Sequence, residues 1–355
     1  MKPILHEADK TSYQNNGFGI LNDCISCVVT HEINGVYDLE MEYPSEGIHA
    51  DEIRERRIIT ARPDPYSEPQ PFRITRIRKS KTSHRMTAWA QHIAFDTDGI
   101  PVGSFTGTNA RNSITAMRQE ILNDVDFDVS TSISSSATMR QNKPKSLLRS
   151  IIGSEGSFVD TYGGELEFDG NAIRILPRLG YDNGVTIRYG RNLTDMEQEI
   201  DTEKLYSGVA PFWHDDETGL TIQPIGYIVP IPGVSGFERV LTLDLSDKFD
   251  SRPTPDQVKA AAEKYIDENG VGQISASLDV DSYQLDQEND GAWMREVERC
   301  GIGDTVTVIF GGGLSSMSRV NKTVFDVLNH RYKKVSIGTI KKNLADELAR
   351  LMEGK

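Results

Sequence analysis

The sequence predicts a β-rich α+β fold, in which a β body is interrupted by mixed segments and followed by a closing helix. Short runs that alternate apolar and polar residues recur near the start, the middle and the end of the chain. Between these runs lie segments with helical spacing and polar loops. Residues 58–80 and 306–328 also share one order, strand, Gly/Pro-rich loop and strand, which favours a duplicated barrel.

The first hundred residues contain the clearest strands. Residues 37–43 (YDLEMEY) alternate apolar with acidic side chains, so one face of this strand is predicted to be buried and the other solvated. Asn34-Gly35 separates the strand from an upstream apolar run, which predicts a β-hairpin. Further strands are predicted at residues 58–61, 72–77 and 86–90. Several short strands joined by turns are typical of a small barrel or sandwich.

The next part of the chain mixes helices and strands. Residues 114–122 carry apolar side chains at helical spacing, whereas residues 129–144 are polar and are predicted to form an exposed loop or sheet edge. A short helix is predicted at residues 147–152. A hairpin follows, with strands at 165–168 and 173–175 and a turn at Asp169-Gly170.

A later helix has a well-defined start and end. Thr254 is a suitable N-cap, Pro255 takes the first helical position, and Gln257 completes a capping box. Asn269-Gly270 ends the helix. Strands are predicted at residues 185–189, 275–280, 305–309, 319–324 and 333–337, and a C-terminal helix at 341–355.

Composition and charge exclude several classes of protein. The 355 residues include 53 Asp and Glu against 39 Lys and Arg, and this net charge of −14 argues against binding nucleic acid through phosphate neutralisation. No stretch approaches the roughly 18 apolar residues of a membrane-spanning helix, and the N-terminal residues lack the apolar core of a signal peptide. Three cysteines are too few for a disulfide framework, so we expect folding in a reducing cytoplasm.

Cys24 and Cys27 have the spacing of a redox motif. Their segment is strand-like, and residues i and i+3 of a strand point to opposite faces, so we expect a structural role for both. The seven histidines form no zinc-binding motif, and His84 and His92 are predicted at polar positions around one strand. Residues 311–313 (GGG) join two predicted strands and open no helix, so they form no phosphate cradle.

Acidic and aromatic residues leave two hypotheses open. Glu165 and Glu167 share one strand face, and Asp215-Asp216-Glu217 follows Trp213-His214, so a pair of glycosidase carboxylates is one interpretation. A sugar-binding surface is the other, on the aromatic residues Trp213, Tyr283 and Trp293. Chance pairing of abundant acids and burial of the aromatic residues in a core are the simpler interpretations. We therefore assign no catalytic, cofactor-binding or metal-ligating residue.

Several stretches of the chain resemble one family. Residues 162–201 (YGGELEFDGNAIRILPRLGYDNGVTIRYGRNLTDMEQEID), continued by LYSGVAPFW at 205–213, resemble the centre of siphophage tail-tip proteins known as prophage endopeptidase tail or tail-associated lysin proteins. CGIGDTVTVIF at 300–310, with residues 317–338, resembles the closing barrel of that family. YDLEMEYP at 37–44, with PFRITRIRKS at 71–80, resembles its opening barrel.

The resemblance implies a fold related to the central baseplate hub of contractile phage tails. In that fold each subunit of a homotrimeric ring carries two similar β-barrels. The first hub barrel would be residues 1–100, and the second would be residues 181–245 with 296–340. The peripheral α+β insert would be residues 101–180 with 246–295, and a C-terminal helix would follow at 341–355.

The resemblance also implies a function. The protein would be a structural component of the virion tail tip, assembled in the host bacterial cytoplasm, that closes the distal end of the tail tube. It would link the tube to host-recognition parts and open for DNA passage, without specific DNA binding. Its partners would be further copies of itself, distal tail and tail-tube proteins, the tape-measure protein and receptor-binding proteins. No cofactor is expected.

Enzymatic activity is the alternative class of function. Many relatives carry a C-terminal extension with peptidoglycan-cleaving or receptor-binding modules, whereas this sequence ends at Lys355 after one predicted helix. We therefore expect no enzyme here, and a separate protein, or none, for lysis. The alternative is a tail-associated cell-wall hydrolase, endopeptidase or glycosidase, whose site the motifs do not reveal.

Two surface predictions follow from the hub hypothesis. An acidic channel wall would repel DNA phosphates and let the genome slide without binding. Closure of a ring should bury the strands near residues 28–43 and 185–189 between neighbouring copies. Charge reversal at Glu40 and Glu42 should therefore disturb assembly.

Overall fold

The computed structural model describes most of the chain. The described residues are 2–9, 12–13, 15–123, 127–154, 156–188, 198–201, 205–234, 238–249, 251–272, 275–279, 300–309 and 315–338. The C-terminal helix predicted at 341–355, the glycine run at 311–313, and Tyr283 and Trp293 lie outside them.

The first part of the chain is almost entirely β-structure. Its strands are β1 (Ile4–His6), β2 (Gly19–Ile20), β3 (Ser26–Glu32), β4 (Tyr37–Pro44), β5 (Ile58–Ala61), β6 (Gln70–Ser80) and β7 (Arg85–His92). Short 3-10 helices lie at Ala50–Glu52 and Ile93–Gly99. The hairpin predicted at Asn34-Gly35 is confirmed, because β3 and β4 pair antiparallel on either side of it. The alternation in β4 is confirmed too: its apolar residues are buried and its acidic residues are partly or fully exposed.

The middle part mixes strands with short helices. Its strands are β8 (Pro101–Val102), β9 (Phe105–Gly107), β10 (Asp128–Thr131), β11 (Met139–Gln141), β12 (Lys145–Ser146), β13 (Glu165–Asp169) and β14 (Ala172–Leu176). Its helices are α1 (Ala110–Gln119), α2 (Leu147–Ile151) and α3 (Phe158–Tyr162). The predicted β13–β14 hairpin is confirmed.

The prediction of an exposed loop or edge at residues 129–144 is only partly right. This segment contributes to β10 and β11, and Val129, Met139 and Gln141 are almost completely buried. Gln141 is polar but satisfied, because its side-chain amide donates to the backbone carbonyls of Val102 and Gly103 at 3.2 and 2.8 Å. The buried positions are too few and too far apart to give a periodic apolar signal.

The last part of the chain returns to β-structure around one long helix. Its strands are β15 (Asp182–Arg188), β16 (Gln198–Asp201), β17 (Gly208–Asp215), β18 (Leu220–Ile222), β19 (Val229–Pro230), β20 (Val240–Asp244), β21 (Ser275–Asp279), β22 (Thr305–Ile309), β23 (Ser315–Asp326) and β24 (Arg331–Ile337). A 3-10 helix lies at Ser246–Lys248, and α4 is Pro255–Asn269. The predicted capping box of α4 is present, with Thr254 and Gln257 bonded reciprocally, and Gly270 ends the helix in the left-handed conformation.

One continuous sheet joins the two ends of the chain. Its strand order is β16-β21-β24-β23-β3-β4-β7-β6-β5-β1-β2, and β15 and β22 branch from β23, which makes 13 strands among the described residues. The joint is the antiparallel pair of β23 with β3, from Lys322 opposite Glu32 to Asp326 opposite Val28. Strands from residues 4–92 and from residues 182–337 therefore share one ladder of backbone hydrogen bonds.

The described residues pack around two hydrophobic cores. The larger core combines side chains from the first sheet, the middle part and strands β22–β24. The smaller core lies between α4 and strands β17, β18, β19 and β20, with Val209, Trp213 and Val258 at its centre. The β-rich part of the predicted fold class is confirmed, and the division into two similar barrels with an insert stays a prediction. None of the helices in the described ranges is long and apolar enough to span a membrane.

Candidate functional site

A cleft of about 690 Å³ opens where separate parts of the chain meet, and we name it the seam cleft. Its walls come from the loop before β6, the β13–β14 hairpin, the link into β15 and the turn before β22. The corresponding segments are 64–70, 167–174, 179–183 and 301–304. The seam cleft therefore lies on the boundary between the opening strands, the middle part and the closing strands.

Two lining residues of the seam cleft, His31 and Phe168, are the ends of a stack of rings. His31 lies on Tyr37 with 3.9 Å between ring centroids, and Tyr37 lies on His92 at 4.7 Å. Phe168 continues the stack beyond His92 at 5.7 Å. Rings from β3, β4, β7 and β13 thus pack together. This packing holds the β13–β14 hairpin against the large sheet that contains β3, β4 and β7.

His92 is buried in this stack, so the prediction of a polar position for it is wrong. Its Nδ1 accepts a hydrogen bond from the backbone N–H of Ala94, and its Nε2–H donates to Oε1 of Gln70, each at 3.2 Å. The same Gln70 oxygen accepts from the backbone N–H of Gly170 at 2.8 Å. Burial, together with the neighbouring His31, lowers the pKa of His92 from 6.5 to about 3. The ring is therefore neutral near neutral pH, as its hydrogen bonds require.

A largely buried ion pair lies next to the seam cleft and connects the segments that form its walls. The guanidinium of Arg319 in β23 donates to both carboxylate oxygens of Glu165 in β13, at 2.5 and 2.9 Å. Their side chains are only 15% and 10% exposed. Arg319 also donates to the backbone carbonyls of Leu179 and Gly303, and Glu165 accepts from the backbone N–H of Leu179 at 2.6 Å. One bidentate pair thus connects the hairpin, the link into β15 and the turn before β22.

The link and the turn cross each other at two glycines. Gly180 and Gly303 both have positive φ, at +70° and +85°. A Cβ on Gly180 would lie 2.2 Å from the carbonyl carbon of Gly303, so this crossing leaves no room for a side chain. Next to it, the carboxylate of Asp304 accepts from the backbone N–H groups of Tyr181 and Gly301 at 2.7 and 2.8 Å. These contacts set the shape of the cleft wall.

The open side of the seam cleft is aromatic and acidic. Tyr66 and Tyr181 line it with 62% and 79% of their surfaces exposed. Its carboxylates are those of Asp64, Glu68, Glu167, Asp169 and Asp304, against the single guanidinium of Arg174. Burial lowers the pKa of His31 from 6.5 to about 4, so this lining ring is neutral near neutral pH. The seam cleft consequently presents a negative potential to cations.

A second concave surface lies on the outer face of the large sheet, and we name it the outer groove. Its volume is about 940 Å³, and it is lined by residues of β3, β4, β6 and β7 with Lys333 of β24. Glu40 lies opposite Trp89 in the ladder, and Arg76 lies opposite Trp89 on the other side. The guanidinium of Arg76 sits 3.9 Å from the centre of the Trp89 ring. The predicted intersubunit strand near residues 28–43 contributes to this surface.

Three of the carboxylates considered for glycoside chemistry are engaged in structural contacts, whereas Asp216 and Glu217 are exposed. Glu165 is bonded to Arg319, and Glu167 is bonded to Arg174 at 2.8 Å. Asp215 organises a turn: it accepts from the backbone N–H groups of Glu217 and Thr218 and from the Thr218 hydroxyl. That hydroxyl bond is the main cause of the lowered pKa of Asp215. Trp213 is 7% exposed in the smaller core, so it offers no sugar-binding surface.

The two cysteines of the redox spacing lie closer than expected. Cys24 precedes β3, which begins at Ser26, so strand alternation does not relate it to Cys27. A side-chain hydrogen bond between Cys27 and Cys24 is the main cause that raises the pKa of the buried Cys27 thiol, followed by burial. Cys24 also donates to the carbonyl of Ser26 at 3.2 Å. Both thiols are free, and no group of three metal-ligating side chains occurs among the described residues.

Several residues that shape the seam cleft carry no chemical motif in the sequence. Arg319, Gln70 and Asp304 stand in ordinary strand or turn contexts, and their partners lie far away along the chain. The segments LGYDNG at 179–184 and CGIGD at 300–304 did carry a signal, because each combines glycines with a following acid or amide. Their crossing could not be read from either segment alone.

Comparison with known proteins assigns a class to this fold. Residues 181–348 match the family model described as prophage endopeptidase tail. The whole chain is similar in structure to the prophage tail protein gp18 from Listeria monocytogenes EGD-e, with a TM-score of 0.62, 14% identity and 99% of both chains covered. It is also similar to the 43 kDa tail protein of prophage MuSo2 from Shewanella oneidensis, with a TM-score of 0.55 and 12% identity, over 98% of this chain and 100% of that chain. No curated protein matches the chain significantly in sequence.

These comparisons assign the fold of the chain to the class of folds found in prophage tail proteins. The two structural similarities show the fold, and the family match covers the centre and the closing strands of the chain. The resemblance to the prophage tail family that the sequence indicated is thus confirmed over residues 181–348, and the fold of the whole chain is similar to that of two prophage tail proteins.

We predict that the Glu165–Arg319 pair is a main contributor to stability. Arg319→Met leaves the Glu165 carboxylate buried without its cation, and we expect a loss of about 3 kcal/mol in the free energy of unfolding. The matched control is Arg174→Met, whose pair with Glu167 is about 40% exposed and should cost less than about 1 kcal/mol. Denaturant unfolding of both variants measures the difference, and equal losses would contradict the prediction.

We also predict acid sensitivity from the ring stack. Burial lowers the folded-state pKa of His31 from 6.5 to about 4. Between these two pH values His31 is therefore mostly protonated in the unfolded chain and mostly neutral in the folded chain. The stability from His31 is thus complete above pH 6.5 and is lost as the pH falls towards 4. His31→Gln should flatten the pH dependence of unfolding in this window. His84→Gln, at a side chain 75% exposed, should keep the wild-type slope; identical slopes in all three proteins would refute this.

Proposed function

We propose that this protein is the subunit of a homotrimeric hub that closes the distal end of a prophage tail tube. The observation that carries the proposal is the combined match: residues 181–348 fit the prophage endopeptidase tail model, and the whole fold is similar to two prophage tail proteins. The hub would link the tube to host-recognition parts at the tail tip and open for DNA passage. Its partners would be distal tail and tail-tube proteins, the tape-measure protein and receptor-binding proteins.

The surface of the large sheet supports a ring of subunits. The outer groove is a wide concavity that combines polar, charged and aromatic side chains, which is the composition of an interface rim and core. Glu40 is exposed on it, and Glu42 forms an ion pair with Arg85 at 3.0 Å on the same face. A threefold ring needs two different surfaces on each subunit, one for each neighbour. The outer groove would supply one of them.

The charge of the chain supports passage of DNA without binding. A net charge of −14 per chain becomes a large negative charge in a trimer. A negatively charged channel wall repels the DNA phosphates. It also lacks the cationic side chains that would bind phosphates by releasing their counterions. We therefore propose a channel that lets DNA slide past the protein.

A cell-wall hydrolase is the second candidate function, favoured by the word endopeptidase in the description of the matched family. Against it stand the engaged carboxylates: Glu165 and Glu167 are each bonded to an arginine, and Asp215 organises a turn. A general acid or base must be able to approach substrate, and a carboxylate held in a bidentate pair offers no such freedom.

We predict that the purified protein associates into trimers. Light scattering across a concentration series should reach a mass of about three times 39.6 kDa. Glu40→Lys reverses the charge at one position of the outer groove. Because charges across an interface are arranged to attract each other, this reversal should create repulsion and shift association to higher protein concentration. Lys259→Glu, on the exposed side of α4, is the control and should not matter. Protein that stays monomeric at every concentration would contradict the trimer.

We predict no band of lysis in a zymogram on Gram-positive cell walls. The physical reason is that Glu165, Glu167 and Asp215 are engaged in structural contacts, which leaves none of these three carboxylates free for acid–base chemistry. A clear lysis zone that disappears in Glu165→Gln would favour the hydrolase. The folded state of that variant is verified by its unfolding curve, so that a lost zone is not mistaken for a lost fold.

A further inference from the structure

The β6–β7 hairpin is strongly cationic in an acidic protein. Between Glu68 and Asp96 the chain contains no Asp or Glu, although 53 acidic residues are spread over its 355 positions. Arg73 of this hairpin is paired with Asp96, and the rest of the hairpin carries five further cations, at Arg76, Arg78, Lys79, Lys81 and Arg85. All five are exposed. A concentration of one sign against the net charge is typical of a surface that meets an oppositely charged partner.

The same hairpin has an open sheet edge. β5 pairs only with the first residues of β6, from Gln70 to Arg73. Among the described residues, no strand pairs with the far side of β6 from Thr75 to Ser80. Charged side chains protect such an edge from unwanted pairing, and they also select a partner of opposite charge.

Three of the cations make no ion pair within the part of the chain that the structure describes. Arg85 pairs with Glu42, and Arg76 lies over Trp89. Arg78, Lys79 and Lys81 make no ion pair with any described residue. Their charges are therefore available to another molecule.

The seam cleft is complementary to this hairpin in charge. Its lining is concave and acidic, whereas the exposed part of the hairpin is cationic. The exposed rings of Tyr66 and Tyr181 on its lining offer faces for cation–π contacts with lysine and arginine. Carboxylates beside aromatic rings form a suitable surface for cationic side chains.

One chain cannot bring its own hairpin into its own cleft. Gln70, at the start of β6, lines the seam cleft, and Ser80, at the other end, leads into the hairpin turn. A strand rises about 3.3 Å per residue, so this 11-residue strand separates the two surfaces by roughly 30 Å. The two surfaces can meet only between different molecules.

We propose that the cationic β6–β7 hairpin of one copy docks in the seam cleft of the next copy of this chain. The proposal rests on the proposed ring and names its contact. Such a contact is heterologous: each copy gives a hairpin to one neighbour and a cleft to the other, so the association can close into a ring. Lysine and arginine ends meet the carboxylates and the two tyrosine rings, while the hairpin lies beside the outer groove and extends the same interface.

Two variants disable the two halves of the contact separately. The hairpin variant is Arg78→Glu, Lys79→Glu and Lys81→Glu, and the cleft variant is Glu68→Lys with Tyr181→Ala. The mutated side chains are exposed. The control variant, Arg111→Glu, Lys143→Glu and Arg252→Glu, makes the same change in net charge as the hairpin variant, at exposed positions elsewhere. We expect each disabled variant to associate at least tenfold more weakly than wild type in light scattering, and the control to associate as wild type does.

A mixture of the two disabled variants gives the decisive result. The cleft variant keeps an intact hairpin and the hairpin variant keeps an intact cleft, so together they can form one contact and no more. We expect a 1:1 heterodimer that never grows to a trimer, and that dissociates as salt rises because the contact is ionic. A mixture that stays monomeric while wild type associates would overturn the proposed contact.

The outcomes separate this contact from the proposed function. If wild type forms trimers and both disabled variants also form them, the hairpin contact is wrong and the ring stands. If wild type never associates, the ring and the contact are both wrong. If the control variant loses association as the hairpin variant does, net charge rather than the hairpin is the cause, and the contact is wrong. Unfolding curves of all variants verify that each is folded.

Discussion

The pairing of β23 with β3 is the interaction on which the rest of the structure depends. It runs from Lys322 opposite Glu32 to Asp326 opposite Val28, and the Lys322 ammonium lies 3.2 Å from the Glu32 carboxylate. Through this ladder the opening and closing strands become one sheet. The same strand β23 carries Arg319, which is paired with Glu165 of the β13–β14 hairpin, and it pairs with β22 next to the glycine crossing.

Buried polar residues stabilise the contact at which the opening, middle and closing parts of the chain meet. Three of these buried polar residues are Gln70, His92 and Asp304. Gln70 and His92 are bonded to each other, and Asp304 accepts from the backbone N–H of Tyr181. A buried polar group that is fully satisfied adds specificity, because a shifted hairpin or strand would leave it unpaired. The seam cleft is thus shaped by directional bonds, whereas the two cores beneath are shaped by apolar packing.

Local structure could be predicted from the sequence, and long-range structure could not. The alternation of residues 37–43, the turn at Asn34-Gly35 and the capping box at Thr254 each depend on neighbours within a few positions, and each is present. The Arg319–Glu165 pair joins residues 154 positions apart, and no periodicity records such a pairing. The wrong prediction for His92 has a related cause, because burial of a polar ring depends on hydrogen-bond partners that distant parts of the fold supply.

The β3–β23 ladder also has a consequence for the order of folding during synthesis. β3 leaves the ribosome long before β23, so this edge of β3 stays unpaired until residues 315–326 have been made. Pairing at such sequence separation is slow because the loop entropy must be lost first. During that interval the nascent chain exposes a strand edge of the kind that recruits other strands. The polar outer residues of β3, Ser26, Thr30 and Glu32, reduce the attraction of that edge for apolar strands from other nascent chains.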